Sequence, residues 1–238
     1  MTTSARNDLT ICDFVAAQWW SDDIRRVRTL KNMVPGRLDW FDRQIDWQGA
    51  RVLDLGCAGG FMAEALADRK AIVTGIDPAP QAILAARLHA QETDREIAYD
   101  TGWGEALPCP DASFDLVICV DVLEHVRDLS QVLAEVCRAL RPGGLFLFDT
   151  INRNPLATLM TITLAETVLR LLPRGTHDPA KFIRPAEMRQ ALTQAGLIAG
   201  AFAGLGPRGL TRRLDFTFGP VPGTAILYMG TARKPKLS

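Results

Sequence analysis

The chain of 238 residues is 47% hydrophobic and 23% charged, a balance that supports a folded domain with its own core and excludes a disordered or fibrous protein. Its 27 basic and 27 acidic residues give a formal net charge of +0, so we expect no nucleic-acid partner. The five scattered cysteines form no C-x-x-C pair, and the sequence has neither a secretory signal nor an apolar run of the roughly 20 residues that span a bilayer. We therefore expect a reduced, cytoplasmic protein.

The first two thirds of the chain alternate between strand and helix patterns. A segment of mixed helical character, from about residue 13 to residue 42, comes first. Predicted strands then cover residues 50–55, 71–77, 97–99, 114–120 and 145–149, and predicted helices cover residues 61–68, 81–91 and 129–140. This alternation predicts a mostly parallel sheet with helices on both faces, in which ligands bind at the carboxyl ends of the strands.

The last part of the chain carries weaker patterns. A helix is predicted at residues 185–195, and two antiparallel strands at 210–218 and 225–232 flank a turn at 219–223. We therefore predict one domain of the doubly wound α/β, Rossmann-like class, with a seven-stranded sheet and a helical insertion after the fourth or fifth strand. Its parts are an N-terminal helical cap (residues 1–48), a cofactor-binding core (49–150), an insertion (151–184) and a C-terminal helix with antiparallel strands (185–233).

A glycine-rich turn follows the first predicted strand. Residues 54–60, with the sequence DLGCAGG, place glycines where the backbone can approach a ligand closely. Asp77 ends the second strand about 20 residues later, where an acid can accept hydrogen bonds from both hydroxyls of a ribose. The glycine spacing differs from the G-x-G-x-x-G of dinucleotide sites, and Asp54 would repel a phosphate but suits a cationic sulfonium. Together these features favour S-adenosylmethionine as the cofactor.

The same residues carry a family resemblance. The sequence from Val52 to Gly60 resembles the first motif of Rossmann-like S-adenosylmethionine methyltransferases, and Ile76 with Asp77 resembles the second. Further motifs of that kind follow in order at residues 105–108, 110–115, 123–126 and 140–144. Several motifs in the family's order are far more specific than a single glycine-rich turn.

Segments outside the core are similar to the ubiquinone-biosynthesis O-methyltransferases. These segments are Trp19-Trp20, Arg37-Leu38 and residues 152–154, 165–166, 173–178, 181–183 and 185–187. The similarity covers most of the chain. The stretch between Trp20 and Arg37 is shorter than in that family, however, and the residues after Gly196 match poorly.

This resemblance implies an S-adenosylmethionine-dependent O-methyltransferase that acts on a catechol-type hydroxyl of a phenolic, polyprenylated small molecule. It also implies cofactor contacts at Arg37, Gly56, Asp77 and Val120. We expect the remaining cofactor contacts from Asp54, Cys57, Ala58, Gly59, Pro78, Trp103, Gly104, Glu105 and His125. Two alternatives stay open, a natural-product O- or N-methyltransferase on the same scaffold and a cofactor-binding protein without turnover.

Three residues are candidates for the chemistry of methyl transfer. His125 is the first candidate base, because residues 121–125 begin where a predicted strand ends and therefore face the cofactor cleft. A purely structural hydrogen-bonding role for His125 stays open. Glu124 beside it and His177 in the insertion are further candidates, although His177 and Asp178 could equally cap the helix that begins near Pro185 or pin the loop.

A metal site is a further expectation. Asp121, Glu124 and His125 have the spacing i, i+3 and i+4, which gathers side chains on one face of a helix. The resemblance suggests Mg²⁺ at these positions, where a divalent ion could hold a catecholate. The alternative is a solvated helix start, in which the acids interact favourably with the helix dipole.

Residues 155–172 form a nearly uncharged stretch bounded by basic residues that include Arg153, Arg170 and Arg174. Such a stretch could form a lid over an apolar substrate, a dimer contact, or a helix on an anionic membrane surface. The resemblance suggests peripheral membrane contact through residues 153–184, on the inner face of the membrane, because polyprenyl substrates reside in the bilayer.

Overall fold

The computed structural model describes residues 16–169 and 175–236, and the centre of this part is one sheet of eight strands. The strands are β1 (Arg51–Leu55), β2 (Ile72–Asp77), β3 (Ile97–Thr101), β4 (Phe114–Cys119), β5 (Leu140–Ile151), β6 (Ile198–Leu210), β7 (Phe216–Val221) and β8 (Leu227–Arg233). They lie in the order β3-β2-β1-β4-β5-β8-β6-β7. Arg170, residues 173–174 and the beginning of the helical segment predicted from residue 13 lie outside the described residues.

The first five strands are parallel and form the half of the sheet that the sequence predicts best. The α-helices are α1 (Arg25–Phe41), α2 (Phe61–Ala67), α3 (Pro80–Glu92), α4 (Leu129–Ala139), α5 (Pro155–Thr158) and α6 (Pro185–Gln194). Strands β1 and β4 are nearly continuous apolar runs, because helices cover both faces of a parallel sheet. Asp128 caps α4 by accepting hydrogen bonds from the backbone N–H groups of Ser130 and Gln131. The predicted α/β class and its alternation of strands and helices are confirmed.

The other half of the sheet is antiparallel and corrects the prediction of seven strands. Strand β8 lies between β5 and β6, and β7 forms the edge beyond β6. The predicted strand at 210–218 is wrong, because residues 211–215 form the turn that joins β6 to β7. The backbone N–H of Thr211 donates to the carbonyl of Asp215 across this turn. The glycine- and alanine-rich sequence of β6 has weak β-propensity, which is why the pattern missed it.

The insertion follows the fifth strand, which was one of the two predicted places. Helix α5 continues into a π-helical segment over Leu159–Val168, and a 3₁₀ turn at Pro179–Lys181 follows. Asn154 caps α5, since its side-chain oxygen accepts a hydrogen bond from the N–H of Ala157. Asn152 donates from its backbone to Ile226 and from its side chain to the carbonyl of Thr224. The insertion is thereby tied to the loop that precedes β8.

Helix α1 packs against the β6–β7 hairpin at the same end of the sheet. A Cβ atom on Gly36 would lie 2.4 Å from the backbone oxygen of Phe218, so only glycine permits this close approach. Val27, Leu38 and Phe41 bury the apolar face of the helix. Among the described residues, no helix combines the length and apolarity that crossing a membrane requires.

Candidate active site

A cavity of about 570 Å³ opens at the carboxyl ends of β1, β2 and β4, a volume typical of small-molecule sites. The residues that end these strands or follow them form its floor, among them Asp54, Asp77 and Val120. Helix α1, the insertion and the β6–β7 hairpin form its walls. The rule that ligands bind at the carboxyl edge of a parallel sheet therefore located the cavity correctly.

Nearly all of the predicted site residues line this cavity. The lining includes Arg37, Asp54, Gly56, Cys57, Ala58, Asp77, Pro78, Trp103, Gly104, Glu105, Val120, Asp121, His125 and His177. Gly59 and Glu124 were predicted with them but do not line the cavity. The fold thus brings together residues that are up to 140 positions apart, from Arg37 to His177.

The packing requires glycine at several positions of the glycine-rich turn, among them Gly56 and Gly59. Gly56 has a φ of +77°, and a Cβ atom there would lie 2.1 Å from a methyl group of Val122. Gly59 lies beneath the tryptophans of the N-terminal segment, and its Cβ would lie 2.1 Å from the ring of Trp19. Its carbonyl accepts a hydrogen bond from the indole N–H of Trp20 at 3.0 Å. Gly59 therefore supports the turn from behind, whereas Gly56 faces the cavity.

Two carboxylates lie at the floor of the cavity. Asp77 accepts backbone hydrogen bonds from Ala58 at 2.9 Å and from Ala79 at 2.8 Å, which fix its carboxylate across the glycine-rich turn. Asp54 is buried, and one of its oxygens, Oδ2, has no hydrogen-bond partner in the described structure. Burial and repulsion by Asp77 raise the pKa of Asp54 to about 7. An unpartnered buried acid beside a cavity is a binding point for a cationic group.

Arg37 connects α1 to the ends of β4 and β5. Its guanidinium is buried and pairs with both Asp121 and Asp149. Asp149 also accepts a hydrogen bond from the backbone N–H of Asp121 at 2.7 Å. Asp121 has a φ of +56°, a left-handed conformation that this double tether maintains. The predicted site residue Arg37 thus holds the loop after β4 in place as well as lining the cavity.

These features fit S-adenosylmethionine. Gly56 gives the close approach that the cofactor needs, and Asp77 lies at the end of β2, where its carboxylate can accept from ribose hydroxyls. Asp54 offers an unpaired oxygen to the cationic end of the cofactor. Trp103 and Glu105 line the rim, where Arg127 stacks 4.8 Å from the Trp103 ring. The donors and acceptors on the floor therefore match an adenosyl sulfonium.

The remaining half of the cavity is apolar, and the sequence pointed to the insertion alone as a possible cover for an apolar substrate. Its walls come from three segments that are distant in the chain: Val27, Leu30, Met33 and Val34 of α1, Met160 and Leu164 of the insertion, and Leu205, Phe216 and Phe218 of the hairpin. The helical spacing of the α1 residues could also have indicated a shared face. The hairpin residues gave no usable signal, because their strand boundaries were misassigned.

Two imidazoles lie where the polar and apolar halves meet. The rings of His125 and His177 have centroids 5.2 Å apart, and both line the cavity. The Nδ1 atom of His177 lies 2.8 Å from a carboxylate oxygen of buried Glu166 in the insertion. Burial, reinforced by His177, lowers the pKa of His125 to about 3. Asp178 caps the 3₁₀ turn at Pro179–Lys181, so the alternative that it caps the helix at Pro185 does not hold.

The predicted metal ligands do not share a helix face. Residues 121–128 form turns, and α4 begins only at Leu129, so the i, i+3, i+4 geometry does not apply. Asp121 is paired with Arg37. Within the described residues, the acids and histidines whose ligand atoms all come within 4.8 Å of one another are Glu124, His125 and His177.

Glu124 lies behind the cavity wall. It is buried and accepts a hydrogen bond from the Thr150 hydroxyl at 2.9 Å, while its other oxygen, Oε1, has no partner. Burial, together with repulsion from Asp121 and Asp149, raises the pKa of Glu124 to about 8. Its carboxyl group therefore holds its proton more strongly than an exposed glutamate does.

The chain is similar in sequence to one group of proteins. A family profile described as "Methyltransferase domain" matches residues 53–148. A curated relative from Aromatoleum aromaticum, named ubiquinone biosynthesis O-methyltransferase, is 42% identical over 199 residues, which cover 83% of this chain and 85% of the relative. A relative of the same name from Pseudomonas putida is 40% identical over 214 residues, which cover 89% of this chain and 91% of the relative.

Solved structures share the fold at lower sequence identity. The magnesium protoporphyrin IX methyltransferase of Synechocystis, solved with bound SAH, has a TM-score of 0.67 at 18% identity and covers 96% of this chain and 95% of its own. A methyltransferase of Thermotoga maritima, described as a possible histamine N-methyltransferase, has a TM-score of 0.65 at 18% identity, with coverage of 95% and 100%. The names of these two proteins differ in acceptor, so the fold is compatible with several acceptors.

Proposed function

This chain belongs to the ubiquinone biosynthesis O-methyltransferase family, and from that premise we propose that it methylates a hydroxyl group on a phenolic or catechol ring. It is an S-adenosylmethionine-dependent methyltransferase. The observation that carries the proposal is the division of one cavity into a polar half at the strand ends and an apolar half, with imidazoles where they meet. Such a cavity can accept a charged cofactor and an apolar aromatic acceptor side by side.

Each polar group in the cofactor half has a proposed role in binding S-adenosylmethionine. S-adenosylmethionine, when bound, supplies a methyl carbon that an acceptor oxygen can attack. Asp77 would accept hydrogen bonds from the ribose, and Asp54 would face the cationic end of the cofactor. Gly56 would let the backbone approach, and Arg37 would hold the loop after β4 against the bound molecule.

The acceptor half orients the ring and excludes water. Methyl transfer needs the acceptor oxygen held in line with the methyl carbon, and positioning of this kind supplies much of the rate. The apolar side chains of α1, the insertion and the hairpin would bind the ring and an attached apolar tail. His125 and His177 are the two candidates for accepting the hydroxyl proton, whereas Glu124 does not line the cavity.

The donor groups near the cavity do not fit Mg²⁺. Magnesium prefers oxygen ligands in a nearly ideal octahedron, whereas the cluster of Glu124, His125 and His177 offers two imidazoles and a single carboxyl group. Asp121, the other expected ligand, is paired with Arg37. The proposed reaction therefore does not involve magnesium, and we expect methyl transfer to continue in the presence of a chelator.

We also propose that the insertion contacts an anionic membrane surface from the inner side. Leu156 and Leu159 are 49% and 54% exposed on its outer face, and Arg184 is exposed nearby. Apolar side chains flanked by basic ones suit the boundary between headgroups and acyl chains. Replacing Leu156 and Leu159 with Glu should reduce co-sedimentation with vesicles of phosphatidylglycerol. Unchanged sedimentation would favour a lid or a dimer contact, which analytical ultracentrifugation would distinguish.

The acceptor class is tested by measuring methyl transfer from labelled S-adenosylmethionine. The acceptors are one catechol with a short prenyl tail, the same catechol without the tail, and the amine in which nitrogen replaces one hydroxyl. We expect the tailed catechol to have the highest kcat/KM, since the tail adds apolar contacts in the acceptor half. Preferential turnover of the amine would contradict O-methylation and favour a natural-product N-methyltransferase. Cofactor binding without turnover of any acceptor would favour a protein without catalytic activity.

A further inference from the structure

A buried carboxylate and an imidazole form a pair inside the insertion. Glu166, which is 2% exposed, accepts hydrogen bonds from the backbone N–H groups of Gly175 at 2.8 Å and His177 at 3.0 Å. The same carboxylate lies 2.8 Å from Nδ1 of His177. A carboxylate can only accept, so the hydrogen of the neutral imidazole lies on Nδ1 and its lone pair lies on Nε2. Glu166 thus selects the tautomer and fixes the plane of the ring.

The pair is held against the cofactor end of the cavity. His177 lines the cavity together with Asp121 and His125, which follow β4. Lys181, four residues after His177, donates from Nζ to the backbone oxygen of Val126 at 2.9 Å. This contact ties the insertion to the loop after β4. The insertion therefore presents an oriented imidazole to the cavity beside the loop after β4.

We propose that His177 accepts the proton of the acceptor hydroxyl and that Glu166 is the residue that positions it, so that the insertion supplies the proton acceptor of the reaction. The inference rests on the proposed O-methylation. In the step, the acceptor oxygen forms a bond to the methyl carbon, and the broken carbon–sulfur bond leaves its electron pair on sulfur. The O–H bond breaks, its electron pair stays on oxygen, and the proton moves to Nε2 of His177 and then to solvent.

The neighbouring histidine is less suited to this role. Burial and the proximity of His177 hold the pKa of His125 well below its usual value, so His125 is a weak proton acceptor. Within the described residues, the titratable and charged groups that face this region include Asp121, Glu124 and His125 of the loop after β4, Glu166 of the π-helical segment, and Lys181 of the 3₁₀ turn. Among these groups, Glu166 is the one that holds a ring nitrogen of His177.

The chain contains a matched control for the pair. Glu64 on α2 is also buried, and one of its oxygens lies 2.7 Å from Nδ1 of His89 on α3. Neither of these residues lines the cavity. The substitutions Glu64→Gln and Glu166→Gln therefore make the same chemical change to the carboxylate of a buried glutamate–histidine pair. Glu64 also pairs with Arg95 at 3.3 Å, and only Glu166 is next to the proposed reaction.

The experiment compares kcat and KM of the wild type, Glu166→Gln, His177→Gln, the double variant and Glu64→Gln, with chelator present. We expect kcat to fall about 100-fold in His177→Gln and at least about tenfold in Glu166→Gln, with the KM for S-adenosylmethionine unchanged. The double variant should be no slower than His177→Gln, because the two residues act as one unit. Glu64→Gln should match the wild type. Wild-type kcat in Glu166→Gln, or multiplicative losses in the double variant, would overturn the proposal.

A second acceptor separates proton transfer from structural damage. A nitro-substituted catechol is largely ionised at neutral pH, so it needs no proton acceptor, and both variants should turn it over nearly as fast as the wild type. Equal slowing of the plain and the nitro catechol would overturn the assignment. The assignment would also be overturned if a chelator abolished activity and Zn²⁺ restored it, because a metal would then take over the role of the imidazole.

One readout does not depend on the acceptor. Nitrogen-15 spectra of labelled histidine report the tautomer of His177, which we expect to carry its hydrogen on Nδ1 in the wild type and to lose that preference in Glu166→Ala. An Nε2–H tautomer in the wild type would refute the inference even if the protein methylates no catechol. Conversely, failure to methylate any catechol, with the Nδ1–H tautomer intact, would count against the proposed function alone, and the kinetic comparison would move to the acceptor that is turned over.

Discussion

The two halves of the cavity are built in different ways. The cofactor half consists of residues at the ends of β1, β2 and β4, and most of its polar groups fall between Asp54 and Asp121 in one continuous part of the chain. The acceptor half takes its walls from α1, the insertion and the β6–β7 hairpin, which meet only through tertiary packing. The cofactor floor and the acceptor walls are therefore formed by different parts of the chain.

Arg37 is the residue that joins the two halves, and its loss should have the largest effect. Arg37→Met leaves Asp121 and Asp149 without their partner in a buried site, and breaking such a network typically costs about 3–5 kcal/mol of unfolding free energy. Urea denaturation followed by circular dichroism measures this change in unfolding free energy. Arg43→Met is the control, because Arg43 pairs with Asp39 at the surface and should lose less than about 1 kcal/mol. Similar small losses in both variants would mean that the halves are not joined through Arg37.

Asp77→Ala should weaken cofactor binding and leave acceptor binding unchanged. The substitution removes charge-assisted hydrogen bonds to the ribose, each worth roughly 1.5–3 kcal/mol, so the affinity for S-adenosylmethionine should fall by about 100-fold or more. Isothermal titration calorimetry measures the Kd. Asp100→Ala, an exposed acid on β3, should bind the cofactor like the wild type. An unchanged Kd in Asp77→Ala would contradict the assignment of Asp77 to the ribose. If the variant lost affinity for both the cofactor and the acceptor, the two halves of the cavity would not be separate binding sites.

Asp54 should make the stability of the cofactor half depend on pH. Its pKa is raised from the ordinary value of 3.8 to about 7, so between these values the folded chain keeps a proton that the unfolded chain releases. The free energy of unfolding should therefore fall as pH rises through this window, with a contribution of at most about 1.4 kcal/mol per pH unit. Unfolding curves at pH 5, 6 and 7 should show a smaller slope for Asp54→Asn than for the wild type. Equal slopes would mean that Asp54 is ionised throughout.

The same division explains what the sequence could predict. Asp54, Gly56 and Asp77 were predictable because short motifs at the ends of strands specify both their conformation and their place at one sheet edge. Strand β6 was missed because its glycines and alanines carry no alternating pattern, and the hairpin boundaries were wrong for the same reason. The pairing of Glu166 with His177 could not be predicted, because it joins the π-helical segment to a residue 11 positions later, and such a contact leaves no regular spacing in the sequence.

The smallest of these effects should come from a substitution in the wall of the acceptor half. Phe218 on β7 lines the cavity, whereas the adjacent residue Thr217 does not, because successive side chains of a strand point to opposite faces. Phe218→Ala removes part of one apolar wall and should lower kcat/KM for the tailed catechol about tenfold, equivalent to about 1.4 kcal/mol, with the Kd for S-adenosylmethionine unchanged. Thr217→Ala should leave both values at the wild-type level. If Phe218→Ala weakened cofactor binding as strongly as acceptor turnover, the hairpin would belong to the cofactor half, and the acceptor would have to be bound by α1 and the insertion alone.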